Sequence, residues 1–196
     1  MPTQVSSGSA LSIFCLIDRT AGKMDPWGIR RTVDTASGAG GGDGTVAQRV
    51  QRWVEVTPSQ FTHEAEGLSL IRSLLPVNAP FRAWSNFEFR DGHGKWHEVD
   101  LLVLGRRRLH LVELKYYSGT LRGDDLTWRR DGHRAEDSPL KLARRKAQRL
   151  ASKLQDELVR WAQETGAEIP EPRTVIPFVQ ESVFLHHPGL RGLLAR

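Results

Sequence analysis

The sequence predicts an α/β domain, a mixed β-sheet flanked by helices, behind a disordered N-terminal tail. Three observations carry this. Two apolar runs of strand length, Val99 to Leu104 and Leu109 to Tyr116, follow one another across a short basic turn. Helix-period stretches stand on either side of them, a shorter one before and a long one after. The first 47 residues, by contrast, are dominated by Ser, Gly, Thr and Ala and lack the apolar content of a core.

The chain has 196 residues, 39% of them hydrophobic, and a core of about 140 residues is large enough to stand by itself. Residues 1–47 read as a tail or as the product of a mis-called start, with Met24 as an internal alternative, and 48–196 as the domain. The glycine run Gly38 to Gly44 has linker composition. Within the domain, Thr57-Pro58-Ser59-Gln60 offers a cap, a proline at the first helical position and a glutamine at the third, which predicts a helix ending near Leu75-Pro76. Phe61, Leu68, Ile71 and Leu75 form its apolar stripe. Strands follow near Phe81–Arg90, Trp96–Leu104 and Leu109–Tyr116, the first two joined through Asp91-Gly92-His93-Gly94 as an antiparallel hairpin. A short strand is expected within Leu121–Arg129. A long helix starts with Ser138 as cap and Pro139 first, and runs to about Glu164, before Gly166. Thr174–Leu185 completes the set as a strand.

Charges stand where these strands should be buried. Asp100 lies inside one apolar run, and Glu113 and Lys115 end the next. Side chains alternate along a strand, so Glu113 and Lys115 share one face while Val112 and Leu114 take the other. Such charges are costly unless paired or functional. Two carboxylates on adjacent strands converge on a hard cation such as Mg2+ or Mn2+, and a neighbouring lysine can hold the water that attacks a phosphodiester. The simpler reading is an ion pair at a strand end. In the helix before, Glu64 falls on the apolar stripe and Glu66 on roughly the opposite side. The pattern Val99-Asp100 followed by Glu113-Leu114-Lys115 resembles the PD-(D/E)xK nuclease core, with valine in place of the proline.

A longer resemblance is carried by Arg52-Trp53, Thr57-Pro58-Ser59-Gln60-Phe61, His63-Glu64, Phe81 to Phe89, Glu98 to Val103, Leu111 to Lys115, Gly119-Thr120-Leu121, Ser138-Pro139-Leu140, Lys146-Ala147 and Val183-Phe184-Leu185. From about Arg52 to Leu193 the chain is similar to the NERD (nuclease-related) domain, in particular the version that precedes a serine/threonine kinase in BREX-type phage-defence systems. The resemblance implies a restriction-endonuclease-like core and a metal-dependent DNA phosphodiesterase acting in anti-phage defence. It implies Asp100, Glu113 and Glu64 as Mg2+ or Mn2+ ligands, with the Leu114 carbonyl completing the shell and Lys115 holding the nucleophilic water. Glu66 is the alternative helix carboxylate. The family favours Asn-Pro-Leu where this chain has Ser138-Pro139-Leu140. No G-x-G-x-x-G loop, H-R-D or D-F-G element of a kinase is present. The competing reading is a non-catalytic module that binds nucleic acid or docks other defence proteins.

Charge points to a polyanion, DNA in this reading. The formal net charge is +5 and the pI about 9.8. Between Pro139 and Lys153 stand six basic and no acidic residues: Lys141, Arg144, Arg145, Lys146, Arg149 and Lys153 form a candidate nucleic-acid-binding face, or else a solvated one. Cys15 is the single cysteine, which excludes an internal disulfide and a cysteine-rich zinc site and suits a reducing cytoplasm. No stretch approaches a membrane span. The histidines show no paired ligand spacing, and His186 and His187 would point apart on a strand. Trp84, Trp96 and Trp128 read as packing residues before they read as base-stacking ones.

Overall fold

The computed structural model describes residues 52–78 and 80–194; the expected tail lies outside them. The elements are β1 (Trp53–Glu55), α1 (Thr62–Leu74), β2 (Arg82–Arg90), β3 (Trp96–Leu104), β4 (Arg108–Lys115), β5 (Gly119–Gly123), β6 (Thr127–Arg130), β7 (Glu136–Asp137), α2 (Pro139–Thr165), α3 (Pro172–Val175), β8 (Phe178–Leu185) and β9 (Leu190–Leu194).

Five strands form a mixed sheet in the order β1-β2-β3-β4-β8. The β2–β3 hairpin and the β3–β4 pair are antiparallel, while β1 runs parallel to β2 and β8 parallel to β4. The parallel β8 needs a crossover, and the long α2 supplies most of its length. The hairpin turn is organised by Asp91, whose carboxylate accepts from the backbone N–H of His93 and Lys95 and pairs with His97 at 2.8 Å.

One face of the sheet packs on α1 through Trp53, Leu68, Leu75, Ala83, Leu101, Val112 and Leu114. The other meets α2, whose buried stripe is Ala143, Ala147, Leu150, Leu154, Leu158 and Ala162. Ser138 caps α2 by accepting from the Leu140 N–H at 3.3 Å. Gly166, at φ 68°, ends the helix in the left-handed conformation that favours glycine.

Several expected boundaries move. The first helix begins at Thr62, not beside Thr57, and its cap position is Phe61 with no side-chain cap. Ser59 is occupied elsewhere, accepting from Asn86 Nδ2 at 2.8 Å. Phe61 leaves the apolar stripe altogether, at 60% exposure. The short strand expected before Asp131 is two: Asp124 turns the chain by accepting from the N–H of Leu126 and Thr127. Those strands join β7 and β9 in a second sheet, ordered β7-β6-β5-β9. Pro172 opens a single helical turn, so the last strand of the main sheet starts at Phe178. Trp84 and Trp128 are core residues, whereas Trp96 is half exposed.

Candidate active site

The strand charges gather at one end of β4. Leu101 and Val112 belong to the core under α1, so alternation directs Asp100, Glu113 and Lys115 away from that layer. Asp100 Oδ2 accepts from the backbone N–H of Leu114 at 2.8 Å. This bond ties β3 to β4 beyond their last paired residues, Leu101 and Val112. Glu113 is almost fully buried, at 3% exposure. One of its oxygens faces Lys115 Nζ at 3.4 Å. The other is paired with Lys146 Nζ, which reaches in from α2.

A buried carboxylate between two ammonium groups avoids the cost of an unpaired interior charge. Asp100 is less well served. Burial pushes its carboxyl above the ordinary range and the Glu113 charge adds to this, while the Leu114 N–H and the two lysines pull the other way. Glu64, in the first turn of α1, is raised by burial and then by the charges of Asp100 and Glu98, with His63 and Lys115 opposing. Glu66 bears instead on His186.

Asp100, Glu113 and Glu64 offer oxygen donors only, the set that suits a hard divalent cation. Burial raises the Asp100 and Glu64 carboxyls first and neighbouring carboxylates second, and a bound cation offsets both by favouring the charged form. The donor chemistry thus fits a metal. The ligand geometry is not closed, however: among the described residues no three His, Cys, Asp or Glu side chains are grouped closely enough to hold an ion. Both oxygens of Glu113 engage lysines instead.

The six basic residues of α2 are not one uniform face. Lys141 pairs with Asp137 at 3.2 Å, Arg144 with Glu181 at 2.8 Å, Arg149 approaches Asp91 at 4.0 Å, and Lys153 pairs with Glu157 at 2.6 Å. Arg145 is exposed and has no acidic partner among the described residues. Lys146 points into the site. Periodicity could group these side chains on a helix, but it could not reveal that one of them crosses to β4.

Histidines also come to the site. His63, beside Glu64, stacks on Tyr116, which follows Lys115, at 5.1 Å. His186 and His187 both touch the same tyrosine, at 5.0 and 4.4 Å. They lie just past the end of β8, so the alternation that would have parted them does not apply.

With this geometry in view, comparison with known proteins is informative. The model of the nuclease-related domain, NERD, matches residues 59–185. A stretch of 110 residues is 44% identical to the Streptomyces coelicolor protein described as "Probable kinase PglW"; it makes up 54% of this chain and 7% of that relative. The chain therefore spans a small part of the relative's length. No solved structure matches. No helix among the described residues is long and apolar enough to cross a membrane. A family match that starts before α1, ends with β8 and takes in Glu64, Asp100, Glu113, Lys115 and Lys146 places this chain in the NERD nuclease-related family.

Proposed function

We propose that this domain is a metal-dependent DNA phosphodiesterase of the PD-(D/E)xK type, working in phage defence. The observation that carries the reading is the meeting of Asp100 from β3, which accepts from the Leu114 N–H, with Glu113 and Lys115 of β4 at one end of the sheet. A core built only for packing would have filled these positions with apolar side chains at no loss of stability. Asp100, Glu113 and Glu64 would hold Mg2+ or Mn2+, with the Leu114 carbonyl available to the same shell. When bound, the cation polarises the scissile phosphate and offsets charge that develops in the transition state. Lys115, partly exposed beside Glu113, holds and orients the attacking water. Lys146 keeps the Glu113 carboxylate in place.

Phosphates of the substrate would meet α2. Exposed ion pairs are worth only about 0–1 kcal/mol, so Lys141 can exchange Asp137 for phosphate at small cost, whereas Arg144, Arg149 and Lys153 would have to leave partly buried carboxylates. Arg145 needs no exchange. The defence setting rests on the sequence resemblance to the NERD version of BREX-type systems.

A second reading is favoured by one observation: both Glu113 oxygens engage lysines, and among the described residues no three-ligand cluster is formed. On that reading the charges are a structural ion-pair network and the domain docks nucleic acid or another defence protein. Purified protein incubated with plasmid, linear and single-stranded DNA, in Mn2+, Mg2+ or EDTA, separates the two. Cleavage that needs metal and disappears in Glu113→Ala supports the nuclease. Salt-sensitive DNA binding without cleavage, by well-folded protein, supports docking.

A further inference from the structure

Beside the carboxylates runs a chain of rings, anchored on the core at Phe184, whose outer members the proposed hydrolysis does not use. Phe61 stacks on His63 with centroids 5.5 Å apart and planes within 24°. His63 stacks on Tyr116 at 5.1 Å, also at 24°. Tyr116 meets His186 at 5.0 Å, and His186 lies nearly parallel to Phe184, at 5.6 Å and 9°. The ladder thus passes from the partly buried Phe184 to the solvent-facing Phe61, through residues adjacent in sequence to Glu64 and Lys115.

Its inner end is built into the fold. The His186 N–H donates to the Lys115 carbonyl at 3.4 Å. Opposite the ring, α1 has Gly67, where a Cβ would lie 2.9 Å from His186. Glycine inside a helix costs stability relative to alanine, and here it makes the room that His186 occupies. The outer end is not explained by packing. Phe61 is 60% exposed and Tyr116 38%, and Phe61 sits at the cap position of α1, where it supplies no capping oxygen. Phe61 and Tyr116 thus leave aromatic surface open to solvent at this end of the ladder.

We infer that the Phe61–His63–Tyr116 ladder is a stacking platform for unpaired nucleobases, so that the strand offered to the carboxylates is single-stranded. This rests on the nuclease reading for the role of the adjacent carboxylates, and it adds the substrate's form. Every base has a π-face, so a stack of exposed rings binds single strands with little sequence preference. Bases stacked within a duplex present no free face to Phe61. The positive charge of the chain supplies the phosphate attraction that lets the rings engage.

The test uses the full chain in EDTA, so that binding is read without cleavage. Oligothymidylate carrying one 2-aminopurine is titrated in parallel with a blunt duplex of the same length. The wild type should bind the single strand and quench the probe. Phe61→Ala should lose about 5- to 100-fold in single-strand affinity with duplex affinity unchanged, and Phe61→Trp should restore it. Tyr116→Ala, checked for an unaltered melting curve, should act in the same direction. Equal losses on single strand and duplex, or no loss in Phe61→Ala, would overturn the platform. Failure of the nuclease reading looks different: ring-dependent single-strand binding persists but no condition yields cleavage. Cleavage with single-strand affinity indifferent to Phe61 would remove the platform and leave the nuclease.

Discussion

Lys146 on α2 and Glu113 on β4 are joined by a buried ion pair across 33 positions of sequence. The pair fastens the long helix to the strand that carries the candidate catalytic residues. Glu113 has a 4% exposed side chain and Lys146 a 12% exposed one, so neither charge is left to water when its partner is removed. Lys146→Ala should therefore destabilise the metal-free protein, by less than the ~3–5 kcal/mol of a wholly uncompensated buried charge, because Lys115 still faces Glu113. Replacing both partners by apolar residues, Glu113→Leu with Lys146→Met, should recover most of that loss. Urea denaturation of the three proteins checks this; an unchanged midpoint in Lys146→Ala would show that the pair contributes nothing.

Asp100 and Asp91 should respond to pH with opposite sign. The native Asp100 carboxyl is raised by burial and by Glu113, so its favourable contribution is complete below the ordinary value of 3.8 and is lost as pH rises through the raised native value. In EDTA, Asp100→Asn should thus be more stable than wild type at neutral pH, with the gain fading toward 3.8. Asp91 is held far below the usual carboxylate range, chiefly by His97 and also by the Lys95 and His93 N–H groups. Its contribution is present above 3.8 and lost only as pH falls through its depressed native value. Asp91→Asn should accordingly be less stable than wild type at neutral pH. Melting temperatures at a series of pH values read both; parallel curves for the two variants would contradict the assignment.

Divalent metal should stabilise the fold. If Asp100 and Glu113 hold the ion, Mn2+ at a hundred times its Kd adds about 2.7 kcal/mol, and EDTA removes the gain. Because protons compete for the Asp100 carboxyl, whose affinity for them is raised, the metal's effect should grow as pH increases. Asp100→Asn and Glu113→Gln should each abolish the shift, as read by thermal melts. A shift that survives in both variants would locate the ion elsewhere.

Arg145 and Lys146 are neighbours with different expected readouts. Arg145→Ala should weaken DNA binding and lower the salt dependence by about one phosphate contact. Lys146→Ala should leave that slope unchanged, since its ammonium engages Glu113. Affinities measured at several salt concentrations decide it, and equal slopes in the two variants would mean that the helix presents no phosphate contact at Arg145.

How much of this could be read in the sequence follows from the range of each interaction. Alternation along a strand is local, so the shared face of Glu113 and Lys115 was legible, as was the β2–β3 hairpin from the Asp91 to Gly94 turn. The start and end of α2 were legible too, because Ser138, Pro139 and Gly166 act on their own backbone. Long-range placement was not. Lys146 belongs to a cationic run whose periodicity says which residues lie together on a helix, but not which one meets a strand. Phe61 fits an apolar helical spacing, yet the helix begins after it. The strands β1 and β9 are short, and they exist because β2 and β5 offer them edges. His186 and His187 were read with strand alternation although β8 stops at Leu185.

Cleavage itself tests the central claim most directly. Labelled single-stranded DNA in Mn2+, followed in single turnover with wild type and Lys115→Ala, should show product from the wild type only, while both proteins melt cooperatively. Product formed at the wild-type rate by Lys115→Ala would take the lysine out of the mechanism, and no product from folded, metal-loaded wild type on any DNA would contradict the nuclease account.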